Sequence, residues 1–181
     1  MEDLEILKKK TEECLGCSLG AGRTNLVFGQ GNPNANVVFV GEAPGRNEDS
    51  QGIPFVGAAG KILTELLASI GITREDVFIS NVLKCRPPEN RDPLPAEVAA
   101  CKPILFEQLK IINPIIVVTL GAHAARTILN QDVSISRIRG TIFEVEGYKV
   151  FPVFHPAATI YDRKKRKYLE EDFRRLKELL T

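Results

Sequence analysis

The fold is decided by the stretch VVFVGEAPGRNED, residues 37–49 of a 181-residue chain. Its first four residues are apolar and predict a buried strand. Gly41 and Gly45 then allow a tight turn whose backbone can approach a ligand closely, and Pro44 stiffens that turn. The loop lacks the Gly-Lys-Ser/Thr of a phosphate-binding loop and the G-x-G-x-x-G of a dinucleotide fingerprint. The pattern therefore predicts either a strand-end loop shaped for another planar or anionic ligand, or an ordinary turn after a core strand.

Apolar strands and amphipathic helices alternate on both sides of this stretch. Further strands are predicted at 77–80, 115–118, 141–145 and 149–154, the last two as a hairpin. Helices are predicted at 2–13, 58–70, 96–112, 121–129 and 165–180, with irregular segments at 18–35 and 84–95. This alternation is typical of an α/β fold in which helices cover both faces of a parallel sheet. Because no repeat or linker interrupts the pattern, we expect one domain over residues 1–181.

Bulk composition leaves most functions open. The formal net charge is +1, so a polyanionic partner would have to be bound through local basic patches. The chain has no apolar run of about 18 residues, and its first ten residues, MEDLEILKKK, are largely charged. These features predict a cytoplasmic protein that does not enter a membrane.

Polar side chains follow the predicted strands, where ligands bind in parallel sheets. Glu42, Asn81, His123 and His155 occupy these positions. Asn81 could read the Watson–Crick edge of a flipped base or cap a turn, and His155 could donate to a developing oxyanion. Phe55 could stack on a base or simply fill the core. His123 opens a predicted helix, and that position is sufficient to explain it.

Four cysteines form a candidate metal site: Cys14, Cys17, Cys85 and Cys101. Structural disulfides are disfavoured in an intracellular chain. Four thiolates suit either zinc or an iron–sulfur cluster, and the spacing does not choose between them. A redox-active Cys-x-x-Cys pair and four unrelated core cysteines are the alternatives. A metal-bound tetrad would tie the N-terminal segment to the proline-rich loop after Asn81.

Basic residues are concentrated beside these groups, in the run from Arg163 to Lys167 and in the loop after Asn81. Such residues suit contact with a phosphate backbone. A solvated helix start is the alternative for the run, although positive charge there opposes the helix dipole. The residues expected to contact nucleic acid are Lys84, Arg86, Arg91, Arg163, Lys164 and Lys165.

Five motifs, together with the cysteine tetrad, resemble those of the family 4 uracil-DNA glycosylases, the iron–sulfur type found in bacteria and archaea. The motifs are GEAPGRNED at 41–49, GIPFVGAAGK at 52–61, SNVLKCRPPENR at 80–91, LGAHAA at 120–125 and HPA at 155–157. The resemblance spans nearly the whole chain. It implies a three-layer α/β/α fold with a central four-stranded parallel sheet, and a 4Fe–4S cluster on the four cysteines.

The resemblance also implies an activity, which is hydrolytic excision of uracil from single- and double-stranded DNA. The residues it places around uracil are Gly41, Glu42, Ala43, Phe55, Asn81 and His155. In this assignment Phe55 stacks on the base, Asn81 pairs with its polar edge and His155 contacts O2. His155 and Glu42 are the catalytic candidates, the former stabilising the uracil anion and the latter positioning water. We expect a monomer, with a sliding clamp as a candidate partner.

Two features distinguish the chain from relatives of this family. One branch of the superfamily binds uracil DNA covalently through a histidine in an inserted basic loop, but no such insertion or histidine follows Gly45 here. Turnover is therefore expected. The HPA motif also departs from the HPS common in the family, and the segment after it is more basic. A lesion-binding module without catalysis and a zinc-stabilised small-molecule hydrolase are the competing functional classes.

Overall fold

A six-stranded sheet forms the centre of the computed structural model, which describes residues 2–181. The strands are β1 Gln30–Gly31, β2 Val37–Gly41, β3 Phe78–Asn81, β4 Ile116–Leu120, β5 Phe143–Val145 and β6 Tyr148–Val153. Their order is β1-β3-β2-β4-β6-β5. The four inner strands are parallel, and β1 and β5 pair antiparallel at the two edges. The predicted four-stranded parallel centre is confirmed, and two short edge strands extend it.

Helices cover both faces of the sheet. They are α1 Glu2–Glu12, α2 Leu19–Gly22, α3 Arg46–Gln51, α4 Ala58–Ser69, α5 Pro95–Ile112, α6 Ala122–Leu129, α7 Ile135–Ile138 and α8 Arg163–Leu180, with 3-10 turns at Pro88–Asn90 and Pro156–Thr159. Helices α4 and α8 pack on one face, while α1, α5 and α6 pack on the other. In the described part of the chain, no helix is both long and apolar enough to cross a membrane.

Strand β2 shows why a continuous apolar run was needed. Val37 and Phe39 belong to the core beneath α4 and α8, while Val38 and Val40 belong to the core beneath α5 and α6. Successive side chains of a strand point to opposite faces, so a strand with helices on both sides is apolar at every position. This arrangement confirms the three-layer α/β/α architecture predicted from the sequence.

Several short helices were absent from the predicted elements. The polar segment Arg46–Gln51 forms α3 instead of continuing as a loop. A contact distant in sequence holds it, because the buried Asp49 carboxylate accepts hydrogen bonds from the backbone N–H groups of Thr24 and Asn25. Helix α5 starts at Pro95 and runs through Pro103 without interruption.

The register of the sheet brings the functional loops together. Gly41 of β2 lies beside Asn81 of β3, and Leu120 of β4 lies beside Val153 of β6. The chain leaves each of these parallel strands at the same edge of the sheet. The loops that follow β2, β3 and β6 therefore surround one space.

Candidate active site

A pocket of about 560 Å³ opens at this edge of the sheet. Its volume lies in the range of small-molecule sites. Predicted base-contacting residues that line it are Glu42, Ala43, Phe55, Asn81 and His155, and Arg91 lies at its rim. Gly41 lies directly behind the lining, against the Phe55 ring and the Asn81 amide. The structure therefore brings all six predicted base-contacting residues into one place.

Asn81 is the buried polar group of the pocket, with 2% of its surface exposed. Its Oδ1 atom has no hydrogen-bond partner within the described residues. A Cβ atom added to Gly41 would approach both Oδ1 and the Phe55 ring to less than 3.0 Å. Glycine is therefore required at position 41 so that the amide and the ring can both pack against the strand.

Phe55 is buried and has a positive φ of 54°, which is rare for an aromatic residue. The strained conformation is held by Arg74, whose guanidinium donates to the carbonyls of Pro54 and Phe55 at 2.6 and 3.0 Å. Gly60 allows helix α4 to pass against the Phe55 carbonyl, where a Cβ would collide. Arg74 was not identifiable from the sequence, because it lies 19 residues after Phe55 and belongs to no motif.

His155 lies beside Phe55, with ring centroids 5.8 Å apart and planes inclined by 28°. Its Nδ1 atom accepts a hydrogen bond from the Ala157 backbone N–H at 3.0 Å. Burial lowers the pKa of His155 to about 4, although the Glu48 carboxylate opposes the shift. The imidazole is therefore neutral at pH 7, and its single proton is on Nε2. His155 can donate from Nε2 without carrying a charge.

Glu42 lies beside two other titratable side chains: His123, which the sequence also placed at this edge of the sheet, and Asp92, which it did not. His123 Nε2 lies 3.8 Å from both Glu42 Oε2 and Asp92 Oδ2. Burial raises the pKa of Glu42, the His123 charge lowers it, and the Asp92 charge raises it. Their ligand atoms lie within 4.8 Å of one another, so the three could hold a divalent cation, although the Asp92 side chain is 83% exposed. The helix-start explanation of His123 is therefore incomplete.

Lys84 does not contact DNA, and that prediction is wrong. Its side chain is fully buried and donates to Ser80 Oγ, the Asn81 carbonyl and Gln108 Oε1. Burial lowers its pKa to about 7, and negative charge on Cys101 and Cys85 opposes that shift. A charge enclosed in this way is not accessible to a phosphate group.

The other basic residues differ in how free their charges are. Arg91 forms a two-point ion pair with the buried carboxylate of Glu97, and Arg86 donates to Asn90 Oδ1 at 2.7 Å. Arg163 and Lys164 are exposed in the first turn of α8. Their contacts with DNA therefore stay predictions, favoured for the α8 residues and weakened for Arg91.

Helix α8 is able to begin with a basic run because Asp162 caps it. The Asp162 carboxylate accepts from the backbone N–H groups of Lys164 and Lys165, each at 3.0 Å. This negative charge at the helix N-terminus offsets the unfavourable interaction of the lysines with the dipole. Just before the cap, Ile160 and Tyr161 are exposed, Tyr161 completely. The exposed ring of Tyr161 thus lies between the turn that lines the pocket and the basic first turn of α8.

The four cysteines line one small cavity on the α5 side of the sheet. All four are free thiols, with Cys85 and Cys101 buried. Burial raises the pKa of both buried thiols, and N–H donors are directed at their sulfurs: Arg23 to Cys85 at 3.2 Å and the Lys84 backbone to Cys101 at 3.3 Å. Four converging thiols with N–H donors suit metal ligation, so the residues fit the predicted tetrad.

Comparison with known proteins gives a consistent result. Residues 28–177 match the model of the Uracil DNA glycosylase superfamily. The chain is 50% identical to the Type-4 uracil-DNA glycosylase of Archaeoglobus fulgidus, covering 99% of this chain and 94% of that protein. It is 47% identical to the Type-4 enzyme of Saccharolobus solfataricus, covering 100% and 88% of the two chains. The Type-4 enzyme of Thermotoga maritima is 46% identical, with 99% and 95% covered.

Proposed function

The chain belongs to the uracil DNA glycosylase superfamily, and on this premise we propose that it hydrolyses the N-glycosidic bond of deoxyuridine in DNA. It releases uracil and leaves an abasic site, which initiates repair of deaminated cytosine. The observation that carries the proposal is the buried Oδ1 of Asn81, which lacks a partner among the described residues and lines the pocket. A buried acceptor without a partner costs about 1–3 kcal/mol, so the pocket favours a ligand that donates there.

Uracil supplies the hydrogen-bond donor that the Asn81 Oδ1 atom lacks. Its N3–H can donate to Oδ1, and its O4 can accept from the Asn81 amide nitrogen. Cytosine has an acceptor at N3 and a donor at N4, so both contacts would be reversed. The Asn81 amide therefore selects uracil over cytosine by hydrogen-bond polarity.

The base reaches the pocket by leaving the DNA stack, at a cost of a few kcal/mol that is smallest at a mismatch. Uracil opposite guanine should therefore be excised faster than uracil opposite adenine. Once inside, the base stacks on Phe55, whose ring is fixed from behind by Gly41 and whose backbone is fixed by Arg74. A preorganised ring loses little conformational freedom when it binds the base.

Departure of uracil is assisted at O2. As the glycosidic bond stretches, the sugar approaches an oxocarbenium ion and the base becomes an anion. The neutral His155 donates from Nε2 to O2, and backbone N–H groups of the 41–45 loop add to this stabilisation. One preorganised donor of this kind typically contributes about 3 kcal/mol. Because the imidazole is neutral, it can donate to the anion without giving up its proton.

Water completes the hydrolysis, and Glu42 is the residue placed to position it. The Glu42 carboxylate lines the pocket beside His123. Replacement of Glu42 by Gln keeps the shape and removes the base. We expect slower single-turnover cleavage in Glu42→Gln, and unchanged cleavage would exclude a base role for the carboxylate.

DNA lies across the pocket rim in this proposal. The exposed charges of Arg163 and Lys164 contact phosphates, and the side chain of Tyr161 occupies the space that the extruded nucleotide leaves in the stack. Arg91 lines the pocket, and Arg86 lies in the same loop after β3. In single-stranded DNA no stacked base has to be replaced, so binding of that substrate depends on the phosphate contacts alone.

The cysteine tetrad holds a 4Fe–4S cluster in this proposal. The four thiols line one cavity, where Arg23 and the Lys84 backbone donate N–H groups to Cys85 and Cys101. Four thiolates suit zinc as well as an iron–sulfur cluster, so the choice of a cluster rests on the motifs that resemble the family 4 enzymes. The cluster would tie the N-terminal segment to the loop after Asn81. Iron and sulfide analysis of anaerobically purified protein tests this assignment, and stoichiometric zinc would contradict it.

The activity is tested with an oligonucleotide that contains one uracil. Incubation followed by alkali should cleave the strand at that position, and free uracil should be recovered. The His155→Ala and Asn81→Ala variants serve as controls that retain the basic surface. Tight, uracil-dependent binding by the wild type without any released uracil would favour the lesion-binding module instead.

Four further expectations from the sequence stay predictions. They are a monomeric state, a cytoplasmic location, a single domain over residues 1–181 and an interaction with a sliding clamp. Sedimentation of the chain with and without a clamp protein measures the first and the last of them.

A further inference from the structure

Lys84 connects two parts of the molecule that otherwise have separate roles. Its Nζ donates to Ser80 Oγ, the Asn81 carbonyl and Gln108 Oε1 at 2.6, 2.7 and 2.6 Å. Its backbone N–H donates to Cys101 Sγ at 3.3 Å. One residue thus contacts both the base-reading strand end and the cysteine site.

The side-chain contacts use the full donor capacity of the lysine. An ammonium group has three N–H bonds, and three acceptors surround it, so each donor has a partner. Gln108 is anchored in turn, since its Nε2 donates to the Phe28 carbonyl at 2.7 Å. Removing the ammonium would take this donor from the buried Asn81 carbonyl, which is costly in an environment that excludes water, whereas Gln108 Oε1 would still accept from Ser80 Oγ.

Helix α5 supplies the rigid side of this connection. Cys101 and Gln108 are two turns apart on α5 and therefore project from the same face of that helix. Cys101 meets the backbone of Lys84, and Gln108 meets its ammonium. Any shift of α5 relative to β3 would disturb both contacts.

We infer that Lys84 is a positioning residue for uracil recognition, which fixes the main chain of Asn81 and ties it to the cysteine-bearing helix α5. This inference rests on the proposed function, because it assigns to Lys84 the placement of the amide that reads the base. The side chain itself does not touch the pocket. Its effect reaches the base only through Asn81.

The placement is tested without reference to activity, by hydrogen exchange of the segment 78–83 in the Lys84→Met variant. Methionine keeps the length of the side chain and removes its donors. We expect exchange in this segment to be about 10-fold faster or more than in the wild type. Lys110→Met is the matched control, because Lys110 lies on α5 with a side chain that is 78% exposed. Equal protection in wild type and Lys84→Met would overturn the inference.

The functional consequence is tested by a double-mutant cycle on uracil excision. Loss of a hydrogen bond to a charged group should lower kcat/KM by about 10- to 100-fold in Lys84→Met. In an Asn81→Ala background the same substitution should change kcat/KM by less than about threefold, because the residue it positions is gone. An equal loss in both backgrounds would overturn the inference, since Lys84 would then act on the fold in general.

Metal content per chain is measured for each variant in parallel. Full metal content in Lys84→Met, together with the loss of excision, supports positioning of Asn81. Loss of metal in step with activity in both backgrounds would assign Lys84 to the cysteine site alone and overturn the inference. If Lys84→Met is insoluble, Gln108→Leu takes its place in the cycle, with the same pattern expected. If the wild-type chain excises no uracil, the proposed function is contradicted. The hydrogen-exchange measurement is independent of activity and still decides whether Lys84 stabilises the end of β3.

Discussion

Replacement of Gly41 by Ala tests the pocket with a single methyl group. The new Cβ would lie within 3.0 Å of Asn81 Oδ1 and of two Phe55 ring carbons, a distance that real Cβ atoms essentially never show. The main chains of both neighbours are held, Asn81 by Lys84 and Phe55 by Arg74. Their side chains must therefore move, and the open space available to them is the pocket itself.

The expected loss of activity follows from the cost of overpacking, which is typically about 1–3 kcal/mol. If the displaced side chains occupy the place of uracil, this cost falls on the transition state, and kcat/KM should drop by about 5- to 150-fold. The melting temperature should stay near that of the wild type, because the displaced groups have room. Single-turnover excision, resolved on a gel after alkali, measures the rate.

The control for this experiment is Gly22→Ala. A Cβ at Gly22 meets nothing within 4 Å, so excision and melting should both be unchanged. Folded Gly41→Ala protein that excises uracil within about twofold of the wild-type rate would refute the reasoning. In that case neither Phe55 nor the Asn81 amide could be a contact of the base.

Three other outcomes are expected. Asn81→Asp should lose uracil excision and gain cytosine excision, measured on matched oligonucleotides, and absence of cytosine release would contradict the assigned contact. Tyr161→Ala should slow excision from duplex DNA by about 10-fold and leave single-stranded DNA largely unaffected, because stacking contributes about 1–3 kcal/mol only where a base must be replaced; equal slowing on both substrates would exclude this role. Because the pKa of His155 is about 4 in the folded chain and near 6.5 when unfolded, the unfolded state binds a proton first as the pH falls. The free energy of unfolding should therefore decrease between pH 6.5 and 4 in the wild type and decrease less in His155→Gln. Denaturant titrations at several pH values measure this free energy, and the same decrease in both proteins would contradict the pKa shift.

The sequence predicted the sheet and the pocket for the same reason. Apolar runs such as 37–40 mark strands that are buried on both faces, and residues that directly follow such strands meet at one edge. Glu42, Asn81 and His155 were therefore identifiable before their distances were known. Phe55 was assigned to the base by motif resemblance, whereas the cysteine tetrad was predicted from the residues and only its assignment to an iron–sulfur cluster came from the resemblance.

Other features could not be read from the sequence because long-range contacts determine them. Arg74 and Asp92 belong to no periodic pattern, and their partners are distant in sequence: the Phe55 loop for Arg74 and His123 in α6 for Asp92. Lys84 was misassigned because a lysine in a basic loop resembles a surface residue. Only the fold shows that Gln108, on a separate helix, supplies the acceptor that helps to bury it.

The missing partner of Asn81 Oδ1 also bears on the fate of the product. Free uracil presents the same N3–H as the base still attached to DNA, so the detached product satisfies the amide equally well. The excised base should therefore compete with the next deoxyuridine for the site. Turnover then depends on how fast the product escapes, and the atom that confers selectivity also slows the release of the base it selects.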